Sequence, residues 1–280
     1  MKYPMSYYSY SQLSSFLDCA YTWYSTYILK QRSGNKFTSL GGVLHSVFEF
    51  QGKDLIKGVS HPDGHYMKMY NEMYFDPEKV PKKYFDSKED YVAMYKQGVT
   101  AIENYLNEYR DSKPLKVEPK FKQVLIEGTP PALGYIDRID GDIDDPASWV
   151  VTDYKSGKNP KDKQFLNSDF QLAIYAQAIY KEYGHFPAFL RYYHPVIDKF
   201  QTAVHLGSGV YEYDYKGQRS PKARFSVSGM MFKVQETIQD ISVAYANNDF
   251  PKKEDKWSCK RCFHYETCKP FGDGTGWNSL

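Results

Sequence analysis

The chain has 280 residues, of which 41% are hydrophobic and 25% charged, with 36 Lys and Arg against 34 Asp and Glu. That is enough apolar sequence for a substantial core, and no run is long and apolar enough for a membrane-spanning helix, which argues against a membrane role. At a net charge of +2, global charge neither requires nor forbids a nucleic-acid partner, so any such contact must come from local patches.

The first ten residues are polar and tyrosine-rich and lack the apolar centre of a secretory signal, so a cytoplasmic location is expected. Ser9 to Leu29 reads as a helix, with Ser9 as its cap and Gln12 as the capping-box partner. Leu13, Phe16, Leu17, Ala20, Tyr24, Tyr27 and Ile28 form its apolar stripe. After the turn signal Ser33-Gly34-Asn35, Leu40 to Leu55 is a second helix, and Tyr66 to Met73 and Lys88 to Arg110 are two more. Phe121 to Glu127, Leu133 to Asp140 and Trp149 to Lys155 are extended, and the Gly-, Pro- and Asp-rich segments between them predict a three-stranded antiparallel meander. Ser168 to Tyr183 is a helix started by Ser168 and stopped by Gly184. Ala188 to Tyr193 and Phe200 to Leu206 are strands, Ser226 to Asn247 is a long helix, and the tail from Phe250 is irregular and carries cysteines. This order predicts an α/β core with a mainly helical N-terminal part.

Asp137 and the segment Asp153-Tyr154-Lys155 are the chemically informative residues of the extended region. Side chains alternate across a strand, so Asp153 and Lys155 share one face. Asp137 is expected on the neighbouring strand, where a suitable register would bring two carboxylates to one divalent cation. A few hard oxygen ligands suit Mg²⁺ or Mn²⁺. The cation would activate water against a phosphodiester, and Lys155 would stabilise the developing charge. An Asp-x-Lys triplet by itself is equally what a surface ion pair produces. Basic residues cluster at Lys155, Lys158, Lys161 and Lys163, and again at Lys252, Lys253, Lys256, Lys260 and Arg261. The first group would carry phosphate contacts, which makes binding salt-sensitive.

Taken together, Gly134-x-x-Asp137, Asp153-Tyr154-Lys155-Ser156-Gly157 and Gln171-x-x-x-Tyr175 resemble the PD-(D/E)XK nuclease superfamily. The nearest branch is the RecB-like one, which includes CRISPR-adaptation exonucleases and nuclease domains of recombination helicases. The resemblance implies a restriction-endonuclease-like mixed central sheet flanked by helices, in a single domain over 1–280. Its parts would be a helical portion (1–116), the catalytic sheet and helix (117–210), and a C-terminal helix with a cluster-binding tail (211–280). It implies metal ligation by Asp137 and Asp153, the latter often Glu in the family, and makes Lys155 the catalytic lysine. Gln171 and Tyr175, four apart on one helical face, would sit beside the active site. Gln171 could otherwise complete a capping box with Ser168, and Tyr175 could be core. His45, in Gly42-Val43-Leu44-His45, matches a family pattern that delivers a third metal ligand. Glu118 could fill an auxiliary acidic position, but its spacing is ambiguous and it is not included. The implied substrate is DNA, as single strands or ends, in recombination, repair or spacer acquisition. A helicase or adaptation complex is a possible protein partner, and a non-catalytic DNA-binding subunit is the alternative role.

The chain has four cysteines, and Cys259, Cys262 and Cys268 form C-x₂-C-x₅-C, with Cys19 far upstream. Without a secretory signal this points to metal rather than disulfides. Four thiolates could hold Zn²⁺ or a [4Fe–4S] cluster, and spacing alone leaves both open. One distant N-terminal cysteine with this C-terminal motif resembles the iron–sulfur members of the same family, which favours the cluster. Such a cluster would close most of the chain into one loop, a constraint on the order of 5 kcal/mol by analogy with a cross-link.

Overall fold

In the computed structural model, which describes residues 3–31, 34–214, 222–253, 259, 262, 264 and 268, Ser9 caps α1 (Tyr10–Asp18) by accepting the Gln12 backbone N–H. The Gln12 carboxamide oxygen, the acceptor a capping box would use, takes the Tyr3 hydroxyl at 3.2 Å instead. The single helix expected as far as Leu29 is broken at Cys19. Its extended backbone, φ −159°, closes α1 and opens α2 (Ala20–Trp23), and a π-helical turn over Tyr24–Ile28 follows. The second helix, α3 (Lys36–Lys57), starts earlier than Leu40, because Asn35 and Thr38 form a complete capping box. The next two helices, α4 (His65–Tyr74) and α5 (Lys88–Tyr109), fall where expected.

The extended region departs from a simple meander. A short strand missed in the sequence, β1 (Lys116–Val117), is followed by β2 (Lys120–Gln123). The stretch from Leu133 to Asp140 is two strands rather than one: β3 (Ala132–Tyr135) and β4 (Arg138–Asp140). After β5 (Val150–Tyr154), β1 pairs with β4 and β4 with β5 in the main sheet, while β2 and β3 pair in a separate two-stranded sheet. The two arms of this antiparallel ribbon thus bend together, at Glu118-Pro119 and at Ile136-Asp137. Pro119 cannot donate a ladder hydrogen bond, and Glu118 takes a left-handed backbone, φ +49°, which few non-glycine residues adopt. Gly134 serves the smaller sheet: an added Cβ would stand 2.4 Å from Phe121 Cζ on β2.

The helix expected from Ser168 is also two. Ser168 ends α6 (Lys163–Ser168), which Asp162 caps, and α7 (Gln171–Tyr183) begins after Phe170. Gln171 is therefore not the capping-box partner of Ser168, while Gly184 closes α7 in the left-handed conformation as expected. The strands β6 (Phe189–His194), β7 (Lys199–Gly207), β8 (Val210–Tyr213) and β9 (Arg224–Ser226) follow, and Ser226 caps α8 (Val227–Asn247). The last two strands were not expected.

The result is an α/β fold with a seven-stranded mixed sheet in the order β1-β4-β5-β6-β7-β8-β9. Its β5–β6 pair is parallel and the others are antiparallel. Helices cover both faces. Val151, Leu190 and Tyr192 pack in one core with residues of α1, α7 and α8. Tyr154 and Tyr193 point the other way, into a core with α3, α4 and α5. Among the described residues no helix is long and apolar enough to cross a membrane.

Candidate active site

The central residues lie where β4 meets β5. Arg138 on β4 is paired with Thr152 on β5, so Asp137, one residue earlier, falls opposite Asp153. Asp137 was expected within a strand. It instead stands at the bend before β4, and its Oδ2 accepts the Tyr154 backbone N–H at 2.5 Å. Its carbonyl accepts the Glu118 N–H at 3.2 Å, so one bend in each arm holds the other. From α3, His45 Nδ1 lies 3.3 Å from Asp137 Oδ1. The helix approaches the loop after β5 closely enough that a Cβ on Gly41 would meet Ser156 Oγ at 3.3 Å.

His45, Glu118 and Asp137 each offer a ligand atom, and the three atoms lie within 4.8 Å of one another. One imidazole and two carboxylates fit a hard divalent cation. The expected trio differed: it had Asp153 in place of Glu118. Asp153 is beside this group, but its oxygens are engaged elsewhere. Its Oδ2 lies 2.7 Å from Lys155 Nζ. Its Oδ1 accepts Gln171 Nε2 at 2.7 Å and the Tyr175 hydroxyl at 3.2 Å. Glu118-Pro119 between two short extended runs was the available signal for Glu118, since a proline there marks a bend.

Gln171 also accepts Lys155 Nζ, at 2.6 Å, and donates to the Tyr175 hydroxyl at 3.1 Å. Lys155, Asp153, Gln171 and Tyr175 therefore form one network, with Gln171 and Tyr175 stacked one turn apart on α7. Lys155 Nζ also lies 5.0 Å from the Tyr192 ring centroid and 5.9 Å from that of Tyr10. The Tyr192 hydroxyl donates to Asp169 in a short hydrogen bond. Tyr10, Asp169 and Tyr192 carry no linear motif, because α1, the α6–α7 connection and β6 bring them together.

Electrostatics follow from this crowding. Burial, the largest effect, raises Asp153 to about 6; Lys155 opposes it and the Asp137 charge adds to it. Burial also leads in raising Glu118 to about 7, reinforced by Asp137 and opposed by His45. At His45 burial acts downward, but Asp137, Asp153 and Glu118 together outweigh it and hold the imidazole at about 9. A proton on His45 thus occupies the place a cation would take.

The cysteines lie at the opposite end of α1. Burial pushes Cys19 up, but backbone N–H groups of Lys253, Thr22 and Tyr21 outweigh it and lower the thiol. The helix break at Cys19 leaves the Tyr21 and Thr22 N–H groups at the start of α2 free to face its sulfur. Thr22 Oγ1 is 3.6 Å from Cys262 Sγ, and Thr26 Oγ1 is 2.9 Å from His264 Nε2. Cys268 is raised by burial and, against Lys252, by the neighbouring Cys19, Cys262 and Cys259. Among the described residues the four sulfurs do not form a group as tight as that of His45, Glu118 and Asp137. Lys256, Lys260 and Arg261 of the second basic cluster lie outside the described residues.

Residues 7–269 match the family model described as the PD-(D/E)XK nuclease superfamily. No curated protein matches the chain.

Proposed function

The chain belongs to the PD-(D/E)XK nuclease superfamily, and from that premise we propose that it is a Mg²⁺- or Mn²⁺-dependent deoxyribonuclease of the RecB-like branch. It acts as an exonuclease on single strands or DNA ends, in the cytoplasm, in recombination, repair or spacer acquisition, alone or beside a helicase or adaptation complex. The whole chain works as a single nuclease domain. The observation that carries this reading is the convergence of Asp137, Asp153 and Lys155 at one end of the β4–β5 pair.

His45, Glu118 and Asp137 would hold the cation, with the adjacent Asp153 carboxylate completing the set through its Oδ2. A bound divalent cation would polarise the scissile phosphate and acidify a water. Lys155, held by Gln171 and Asp153, presents an ammonium to the same phosphate and stabilises the charge that accumulates on its oxygens. Gln171 and Tyr175 keep the Asp153 carboxylate oriented. Because these partners are fixed before substrate arrives, little reorganisation is needed during the reaction.

Cys19, Cys259, Cys262 and Cys268 would hold a [4Fe–4S] cluster, with Zn²⁺ as the alternative. The backbone donors around Cys19 favour a thiolate, which either group requires. Tetrahedral zinc draws four sulfurs close around one ion. A cubane holds them at four corners, and one distant N-terminal cysteine with a C-terminal C-x₂-C-x₅-C resembles the iron–sulfur members of the family, which favours the cluster.

The test is cleavage of single-stranded DNA labelled at the 5′ or 3′ end, with Mn²⁺ or Mg²⁺, beside Lys155→Ala. Cleavage that is lost in the variant supports the reading, and the two labels give the direction. Binding without cleavage under either metal supports a non-catalytic DNA-binding subunit instead.

A further inference from the structure

Beyond Lys155, the chain from β5 to the start of α6 carries Lys158, Lys161 and Lys163, and they are not equivalent. Lys158 and Lys163 are exposed, whereas Lys161 is partly buried. A single side chain grips the Lys161 backbone from both sides. The Lys161 N–H donates to Gln201 Oε1 at 2.8 Å, and the Lys161 carbonyl accepts from Gln201 Nε2 at 2.7 Å. Gln201 lies on β7 and is buried, and its Oε1 is also 3.0 Å from Nε2 of the buried His194 on β6. A carboxamide that uses both ends on one residue fixes the position and the orientation of that residue. Breaking the grip would strand buried polar atoms.

This grip has an electrostatic consequence. Lys161 Nζ rests 4.1 Å from the Phe165 ring centroid. From there it senses Lys155 and the carboxylates of Asp169, Asp153 and Asp162. Among the described residues no carboxylate forms a salt bridge with it. Burial, followed by the Lys155 charge, lowers its pKa in spite of the nearby acids. Lys155 is ion-paired with Asp153, whereas the Lys161 ammonium feels the Lys155 charge and has no salt bridge of its own among the described residues. An anion spanning them would relieve the repulsion. Gln201 fixes the backbone from which the Lys161 side chain extends, and the Phe165 ring lies against its ammonium.

Building on the nuclease reading above, we propose that Lys161 is a second substrate-binding cation. It takes the phosphodiester next to the one presented to Asp137, Asp153 and Lys155, and Gln201 is its positioning residue. The chemistry recognised is a polyanionic strand with consecutive phosphates, so a mononucleotide ester would not benefit from Lys161.

The test compares wild type, Lys161→Gln, Lys161→Arg and Gln201→Leu on a labelled single-stranded oligonucleotide and on a mononucleotide phosphodiester, with Mn²⁺. Lys161→Gln should raise the oligonucleotide KM about tenfold with little change in kcat, and should reduce the salt slope by about 0.7. Lys161→Arg should restore both. Mononucleotide hydrolysis should be indifferent to position 161. Gln201→Leu should raise KM while leaving the salt slope at its wild-type value, since the charge is still present. A Lys161→Gln enzyme that matches wild type in KM and salt slope overturns this inference and leaves the nuclease reading standing. A wild type that cleaves neither substrate overturns both.

Discussion

Gln171 and Lys155 meet at 2.6 Å, with Oε1 of the one accepting from Nζ of the other. The opposite end of the same carboxamide donates to Asp153 Oδ1 at 2.7 Å. One neutral side chain on α7 thus holds Asp153 of β5 and Lys155 just beyond its end in register. An amide can do this because it has an acceptor and a donor at its two ends. A carboxylate or an alkyl group cannot.

Gln171→Glu is therefore expected to lower kcat by about 10- to 100-fold, more than it changes KM. The new oxygen would face the Asp153 carboxylate, where a donor is needed. Steady-state kinetics with Mn²⁺ measure it, and an unchanged kcat would remove Gln171 from the catalytic network.

Lys155→Ala should lower kcat by about 10³-fold, the scale for losing a donor to developing charge. Oligonucleotide binding should fall much less, because other lysines remain. Fluorescence anisotropy beside a cleavage assay separates the two effects. Equal losses in both would make Lys155 a binding residue only.

Metal affinity should rise with pH between about 6 and 9, because the cation must displace the His45 proton held to about 9. Calorimetry in buffers of differing ionisation heat should detect proton release on Mn²⁺ binding, and His45→Ala should reduce both the affinity and the released protons. The metal-free protein has the opposite dependence. His45 is raised above its ordinary 6.5, so its contribution to stability is full below that value and is lost as pH climbs through about 9. Glu118, raised from 4.5 to about 7, adds a destabilisation that grows from about pH 4.5 to about pH 7 and is constant above it. The metal-free melting temperature should fall from pH 6 to pH 9, and Mn²⁺ should restore it most at the upper end.

Glu118→Gln tests the residue that the sequence left ambiguous. It removes a partly buried negative charge from beside Asp137, so the metal-free melting temperature at pH 8 should rise. Mn²⁺ binding should weaken about tenfold, on the scale of one lost ligand interaction. Thermal shift with and without Mn²⁺ reads both, and tighter metal binding in the variant would exclude Glu118 from the ligand set.

Cys19→Ala should abolish the visible absorbance of anaerobically purified protein and lower its melting temperature. The lost thiolate sits where α1 and α2 meet the C-terminal tail. Lys253 Nζ contacts Asp18 at 3.2 Å there, and Tyr21 donates to the Pro251 carbonyl at 3.3 Å. Iron analysis of the wild type distinguishes a cluster from zinc. Full absorbance in the variant would exclude Cys19 as a ligand.

Local chemistry carried much of this protein into view. The helix start at Ser9 and the stop at Gly184 read correctly because capping depends on the residue and its immediate neighbours. Strand alternation put Asp153 and Lys155 on one face, and helical spacing put Gln171 over Tyr175. The errors cluster at interruptions. Leu133 to Asp140 looked like one strand because its pattern is continuous, but the chain bends at Asp137 to serve two sheets. Ser9 to Leu29 looked like one helix because its apolar stripe runs through Cys19 unbroken.

By itself the sequence determined most of the element types and placed Asp153 and Lys155 at the end of one strand, both of which depend on neighbours along the chain. Only the tertiary structure decided that Glu118 rather than Asp153 groups most tightly with His45 and Asp137, and that Gln201 on a distant strand holds Lys161. Those outcomes turn on where two bends and a β-ladder register place side chains far apart in sequence. Desolvation and charge at such a meeting point are properties of the assembled neighbourhood, and no single segment encodes them.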